Sequence, residues 1–208
     1  MKITAIERNK KNKDRFTVFV DNQPSFTISE EDYLSLNLYE EREITDDEID
    51  YIKNEVNFRR AKSAAVKYLS MKLRSEREVY LKLINEGYGR KTADRVIEEL
   101  KSLGYINDKL YVQKYIFDRS KLKPKSKKLL KLELISKGIK EEDIDEVMAD
   151  WKVDERVVAE SLIRKKFGKY DLSDEKIAKR IFLFLHHRGF SYEIINEALK
   201  NIKDGSGY

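Results

Sequence analysis

The chain of 208 residues has no cysteine and only two histidines, and these two scarcities exclude several kinds of site. Without cysteine there is no disulfide, no thiolate metal site and no thiol nucleophile. The histidines, His186 and His187, are adjacent, so they cannot both face one ion from a helix, and no third ligand accompanies them. A Gly-rich phosphate loop and an HExxH motif are also missing. Because no nucleophile–base pair or metal set can be assembled, we expect a protein that is not an enzyme and that needs no cofactor or metal.

Long apolar runs are missing as well. No apolar run approaches the roughly 18 to 20 residues that would span a bilayer. The first residues, Met1 to Thr4, contain no signal-peptide core. We therefore expect a cytoplasmic protein that makes no contact with a membrane.

Charge is abundant but unevenly distributed along the chain. Residues 1–57 carry 8 Lys/Arg and 14 Asp/Glu, a net charge of −6, whereas the remainder carries 35 basic and 24 acidic residues, a net charge of +11. The asymmetry indicates an anionic partner for the second part. A lysine-rich solvated surface of the kind found in thermophiles explains the same charge without a partner.

A repeat of 51 residues organises the second part of the chain. Its markers are three equally spaced glycines, Gly87, Gly138 and Gly189. Each has a leucine four positions before it and apolar residues 1, 6, 9, 10 and 13 positions after it. These residues are Leu83, Tyr88, Ala93, Val96, Ile97 and Leu100; Leu134, Ile139, Ile144, Val147, Met148 and Trp151; and Leu185, Phe190, Ile195, Ala198, Leu199 and Ile202. A fixed period predicts one helical unit used three times, which offers a long surface to a partner and encloses no reaction pocket.

The first thirty residues have the pattern of β-strands. Phe16, Val18 and Val20 alternate in a period of two, and turn-rich segments flank them. We predict three short antiparallel strands (3–8, about 16–20 and 25–29), followed by a short helix at 30–35. The residues leave open whether this acidic segment braces the first repeat or repels competing polyanions.

From Thr45 onward the pattern is helical. Two capping boxes, beginning at Thr45 and Ser75, mark helix starts. A long helix is predicted for 46–72, bent near Phe58. Three three-helix units then follow, in which glycine ends the second helix. The further helices are predicted at 76–86, 90–102, 108–119, 126–137, 141–151, 154–166, 174–188 and 191–203.

On this basis we divide the chain into an acidic N-terminal extension (1–57), three repeats (58–107, 108–153 and 154–203) and a flexible tail (204–208). Trp151 and most tyrosines are expected in the core, and stacking of bases on Tyr88 or Tyr105 has little support.

Three-helix units with a glycine turn also occur in helix-turn-helix DNA-binding proteins. In the middle repeat, however, the third helix offers Lys140 against six carboxylates, so phosphate would repel it. We therefore do not favour readout of the major groove.

The strongest basic run lies in the middle repeat and contains no acidic residue between Arg119 and Lys131. Its seven cations are Arg119, Lys121, Lys123, Lys125, Lys127, Lys128 and Lys131. Crowded lysines repel one another, so we favour a binding role for the run over a merely solvated loop. Smaller basic groups occur at Arg59–Lys62, at Lys72 and Arg74, at Arg164, Lys165 and Lys166, and at Arg188. The set that we assign to binding of a filament or of DNA is Lys72, Arg74, Arg164, Lys165, Arg188 and the seven residues of the run.

The stretch Leu100–Asp108 contains the string Gly-Tyr-Ile-Asn-Asp, and it follows two further distinctive stretches, 65–79 and 83–88. Corresponding stretches in the later repeats are 133–139 and 184–195. With these stretches the chain resembles the RecX family of regulators of the RecA recombinase. The resemblance covers roughly residues 58–203, and the preceding segment looks like the extension of longer members. The family commonly has a glycine near the start of the second helix of the middle repeat, where this chain has Ser126.

The resemblance implies three tandem three-helix repeats in an elongated, curved array. It also implies binding in the groove of the RecA filament on single-stranded DNA and restraint of ATP hydrolysis, strand exchange and co-protease activity. We expect the protein to be a monomer. An alternative from another class is a nucleic-acid-binding repeat protein that acts through its basic surface without a recombinase.

Overall fold

The computed structural model describes residues 1–9 and 12–204. The chain forms two compact units, and the second unit begins at Asp108. The predicted flexible tail, 204–208, lies outside the described residues except for Asp204.

The first unit opens with the predicted antiparallel sheet, in which the strands follow one another in the order β1-β2-β3. The strands are β1 (Ile3–Arg8), β2 (Arg15–Val20) and β3 (Gln23–Ser29). Asp21 and Asn22 both have positive φ, as a two-residue hairpin turn requires. β3 therefore starts two residues before the predicted position and includes Pro24, which an edge strand tolerates.

One face of the sheet covers a core of its own. Ile3, Val18 and Ile28 are fully buried and pack with the apolar residues of the segment that follows. That segment contains the predicted short helix α1 (Glu30–Ser35), whose N-terminus is capped by the Ser29 side chain.

The predicted long helix is present but is not uniformly α-helical. It consists of α2 (Asp46–Tyr51), a π-helical turn (Ile52–Val56) and α3 (Asn57–Met71). Both halves of the predicted capping box at Thr45 form with Glu48. The irregularity lies before Phe58, where we expected a bend, and the helix ends one residue before Lys72, whose backbone is extended.

The first repeat is completed by α4 (Glu76–Asn85) and α5 (Arg90–Ser102). Ser75 and Glu78 form the second predicted capping box. Leu83, Val96 and Leu100 are fully buried in one cluster, as the apolar repeat predicts.

The second unit holds six helices of the two remaining repeats within its described residues. They are α6 (Asp108–Leu122), α7 (Lys127–Ser136), α8 (Glu141–Ala149), α9 (Glu155–Phe167), α10 (Glu175–His186) and α11 (Tyr192–Lys203). The predicted helices are confirmed, with ends that differ by up to three residues. The largest difference is at α6, which continues past Arg119 to Leu122.

The three marker glycines have the same backbone conformation. Gly87, Gly138 and Gly189 have φ values of +86°, +83° and +84°, a region that glycine enters without steric cost. The shared turn confirms that one helix–turn–helix geometry is used three times.

The expectation that Trp151 and most tyrosines are core residues is confirmed only in part: Tyr33, Tyr68, Tyr80 and Tyr88 are half-buried against the cores of the first unit. Trp151 lies beyond the end of α8 and is only partly buried. Among the described tyrosines, Tyr111 is buried, whereas the side chains most exposed to solvent are Tyr39, Tyr51, Tyr105, Tyr170 and Tyr192. The apolar stripe of the middle repeat ends with its helix, before it reaches the tryptophan.

Polar contacts attach the sheet to the first repeat. Thr27 Oγ1 donates a 2.9 Å hydrogen bond to the carbonyl of Gly87, and Asn12 donates one of 3.1 Å to the carbonyl of Glu86. The guanidinium of Arg15 lies 4.1 Å from the centre of the Tyr88 ring. The N-terminal extension therefore braces the glycine turn of the first repeat, which is one of the two roles left open by the sequence.

Candidate partner-binding groove

The basic run is divided among three local structures. Lys121 lies in the last turn of α6, Lys123 in the following loop, and Lys127 in the first turn of α7. The seven cations therefore lie on two helices and the loop between them, and two of the seven, Lys121 and Lys123, line one groove.

A groove in the second unit collects part of the run with cations from distant positions. Its walls are the end of α6 with the following loop, α9, and the C-terminal end of α10, and its volume is about 710 Å³. Five cations line it, and we call it the basic groove: Lys121, Lys123, Lys165, Lys166 and Arg188. Four of the five belong to the predicted set, and they come from three stretches of the chain that span residues 121 to 188.

The basic groove is also apolar. Leu122 and Val157 line it with 79% and 57% of their surface exposed, and Leu122 is the most exposed large apolar side chain that the structure describes. Pro124, Leu162 and Phe184 contribute further apolar surface. Among the described residues, no Asp or Glu lines it. A groove of this composition favours an anionic partner that also presents apolar groups.

Helix ends position most of the groove cations. Lys121 lies in the last turn of α6, and Lys165 and Lys166 lie in the last turn of α9. The partial negative charge at a helix C-terminus stabilises cations at these positions. Arg164 lies in the same turn of α9 and is exposed, but it does not line the groove.

Aromatic rings hold three of the groove cations. Lys121 Nζ lies 4.0 Å from the centre of the Phe117 ring. Arg188 and Lys166 lie 3.7 Å and 4.1 Å from the centre of the Phe184 ring. Arg188 also donates a 3.1 Å hydrogen bond to the carbonyl of Phe184, and partial burial lowers its pKa. These contacts orient the cations before any partner binds.

Two other lysines of the run make ion pairs within the chain. Lys131 Nζ lies 2.6 Å from Asp145 and 3.3 Å from Glu141, and the hydrogen bond to Asp145 raises its pKa. Lys125 pairs with Glu133. Much of their charge is therefore already compensated.

The remaining cations of the run lie outside the groove lining. Lys127 Nζ is 5.8 Å from the centre of the Trp151 ring, and the Arg119 guanidinium is 5.0 Å from that of Tyr115. Lys128 is exposed on α7.

Lys72 and Arg74 belong to the first unit, whereas all residues that line the groove belong to the second. Lys72 is exposed just after α3. Arg74 packs 4.0 Å from the centre of the Tyr68 ring. Neither residue is among those that line the groove, and a binding role for them stays a prediction.

Three lining residues, Lys166, Leu122 and Val157, were not predicted from the sequence to bind a partner. Leu122 and Val157 could have been identified from the sequence as candidates for exposed apolar surface, because both are apolar residues outside the repeated positions. Within residues 1–9 and 12–204, no group of His, Cys, Asp and Glu could hold a metal ion. None of the helices that the structure describes combines the length and apolarity needed to cross a membrane.

Comparison with known proteins identifies relatives over almost the whole chain. Four family models match in order: the RecX N-terminal domain (residues 1–45) and the first (61–100), second (107–148) and third (154–199) three-helix domains of RecX. The regulatory protein RecX of Clostridium acetobutylicum is 32% identical over 206 residues, which cover 96% of this chain and 95% of the relative.

Two solved structures share the fold. A crystal structure of regulatory protein RecX has a TM-score of 0.63 and 24% identity, covering 94% of this chain and 97% of the other. The structure of RecX from Lactobacillus salivarius has a TM-score of 0.60 and 26% identity, covering 71% of this chain and 97% of the other.

Proposed function

Because the chain belongs to the RecX family of regulatory proteins, we propose that it regulates RecA by binding to the RecA filament on single-stranded DNA through the basic groove. It acts in the cytoplasm, as a monomer and without catalysing a reaction. Bound in the helical groove of the filament, it restrains ATP hydrolysis, strand exchange and co-protease activity.

The observation that carries the proposal is the basic groove itself. Five cations around exposed Leu122 and Val157, with no carboxylate among the described lining residues, form a surface suited to a large anionic assembly. The repeated helices provide a rigid support, because most of their repeated apolar positions are buried within each unit.

The intramolecular contacts decide which lysines to replace. Lys125 and Lys131 form ion pairs within the chain, so replacing them would change stability as well as binding. The sharper variant is K121E/K123E/K165E, which reverses three charges of the groove. Its matched control is K176E/K179E/K200E, three exposed lysines of α10 and α11 that do not line the groove.

The test follows ATP turnover by preassembled RecA filaments on single-stranded DNA. Wild type and the control triple variant should inhibit ATP hydrolysis, and the groove variant should lose at least tenfold in apparent affinity, since each reversal replaces attraction by repulsion. Equal inhibition by the two triple variants would reject the groove as the docking surface.

A titration of labelled single strands without recombinase tests the alternative function. Tight binding by the protein alone, with a salt slope equivalent to several phosphates, would favour a nucleic-acid-binding protein that needs no RecA.

A further inference from the structure

We propose that the basic groove binds an acidic polypeptide segment that carries aliphatic side chains, and not a nucleic acid strand. The inference deepens the proposed function, on which it rests for the premise that this groove is the docking site. It assigns the occupant to protein, so that the groove would contact the recombinase and not its DNA.

The positive charge of the groove lining requires an occupant with negative charge. Lys121, Lys123 and Lys165 reach the groove from two different helices and a loop, and no carboxylate of the described chain lines it to compensate them. An occupant without negative charge would leave these lysines in the groove with no carboxylate to compensate their charge. Both a phosphate backbone and a row of carboxylates satisfy this requirement.

The apolar surface separates these two possibilities. Leu122 and Val157 are 79% and 57% exposed and lie among the lysines. The phosphates of a strand carry no side chain, and the nearest apolar atoms are the carbons of an oxygen-rich sugar, whereas a polypeptide can place leucine or valine beside its carboxylates. Covering Leu122 and Val157 with such side chains buries more apolar surface than contact with a sugar-phosphate backbone does, and so contributes more hydrophobic free energy.

The aromatic content of the groove also argues against a nucleic acid strand. Binding of single strands relies on open aromatic rings on which bases stack. The only aromatic ring among the described lining residues is that of Phe184, which already contacts Arg188 at 3.7 Å and Lys166 at 4.1 Å. It also packs against Phe167, with ring centres 5.5 Å apart. A base would have to displace these contacts before it could stack.

The guanidinium of Arg188 is similarly engaged. It packs on Phe184 and its Nη1 donates to the Phe184 carbonyl, so part of its hydrogen-bonding capacity is used within the chain. The lysines that remain act as point charges, which suit carboxylates on a flexible segment.

The test uses the full chain and three fluorescent probes in the absence of RecA. The first is a twelve-residue peptide of repeated Glu-Glu-Leu, the second is a twelve-residue Glu peptide, and the third is a fifteen-residue oligothymidylate. Fluorescence anisotropy measures the affinity of each probe at low and at physiological salt.

Two pairs of variants separate the charged and the apolar contributions. The variant K121E/K123E/K165E removes the charge, with K176E/K179E/K200E as its control. The variant L122Q/V157Q removes the apolar surface, and its control is L132Q/L183Q, which changes two exposed leucines outside the groove.

We expect the Glu-Glu-Leu peptide to bind more tightly than the other two probes. L122Q/V157Q should weaken it roughly tenfold, consistent with the loss of two partly buried aliphatic contacts, and the control pair should not. The charge variant should abolish binding of the peptide. The affinity of wild type for the Glu-Glu-Leu peptide should fall less steeply with salt than its affinity for the oligothymidylate, since part of the binding free energy of the peptide comes from apolar contacts.

Tighter binding of the oligothymidylate, or equal peptide affinities of L122Q/V157Q and its control, would overturn the inference. Failure to bind any probe would overturn it too. These outcomes are distinguishable from failure of the proposed function, because inhibition of RecA ATPase is measured separately and with other components.

Discussion

Arg15 Nη2 donates a 2.7 Å hydrogen bond to Asn57 Oδ1, which joins strand β2 to the first residue of α3. Both residues are more than 90% buried. The same nitrogen of Arg15 also donates to the carbonyl and the hydroxyl of Thr27, and Asn57 Nδ2 donates to that carbonyl at 2.8 Å. The pair is therefore a buried polar contact that joins the sheet to the first repeat, in addition to the hydrogen bonds from Thr27 and Asn12 to the glycine turn.

Replacing Asn57 should weaken this attachment. N57A removes one acceptor from a buried guanidinium and one donor to Thr27, which should lower the free energy of unfolding by about 2 kcal/mol. Chemical denaturation measures the change, and N54A, at an exposed position of the π-helical turn, is the control. Equal stability of the two variants would show that the buried pair contributes nothing to the attachment.

Gly189 and Gly104 form a natural comparison of two glycines with positive φ. A Cβ at Gly189 would lie 2.6 Å from Leu129 Cβ and closer still to Ser126 Oγ, whereas a Cβ at Gly104 would meet nothing within 4 Å. G104A should therefore cost only the backbone strain, about 1 kcal/mol. G189A should cost about 3 kcal/mol, because the overpacking adds to the same strain.

Thermal and chemical denaturation of the two alanine variants measures this difference. Similar losses of stability would mean that the second and third repeats do not approach each other closely at the glycine turn.

The 51-residue period predicted the glycine turns, but it did not predict how each second helix begins. Ser75 and Ser126 stand twelve residues before their glycines, and both are buried N-cap residues. At the corresponding position of the third repeat stands Ile177, which is buried inside α10. The helix begins at Glu175 instead, because Asp174 supplies the cap.

The candidate groove could be predicted only in part. The density of lysines at 121–131 is visible in the sequence, but their grouping depends on where each side chain points. α6 continues to Leu122, which places Lys121 and Lys123 in the groove while Lys125 turns toward Glu133. No periodicity of the sequence indicates that α9 lies opposite them, so its contribution emerges only from the tertiary packing.

Glu133 makes the stability of the fold depend on pH in the acid range. Partial burial of the Glu133 carboxyl raises its pKa, but two hydrogen bonds to the carboxylate lower it by more. Lys125 donates one, and the Tyr115 hydroxyl donates the other at 2.7 Å, so the pKa lies below the ordinary value of 4.5. A carboxyl group whose pKa is lowered by folding stabilises the fold above its unfolded pKa and loses that contribution as pH falls through the folded pKa.

The variant E133Q should therefore be less stable than wild type at pH 7, by about 1 kcal/mol, and the gap should close below pH 4.5. Denaturation at a series of pH values measures the gap, with E197Q at an exposed position of α11 as the control. A gap that stays constant from pH 7 to pH 3 would contradict the assigned role of the charge.

The absence of cysteine permits a direct test of the central claim, that the basic groove is the surface that docks on the RecA filament. Single cysteines are introduced as K123C, in the groove, and K200C, on α11, and their rates of maleimide labelling are measured by mass with and without filaments. We predict at least tenfold protection at position 123 and little change at position 200. If position 123 is labelled as fast in the filament-bound protein as in the free protein, the basic groove is not the docking surface and the central claim is contradicted.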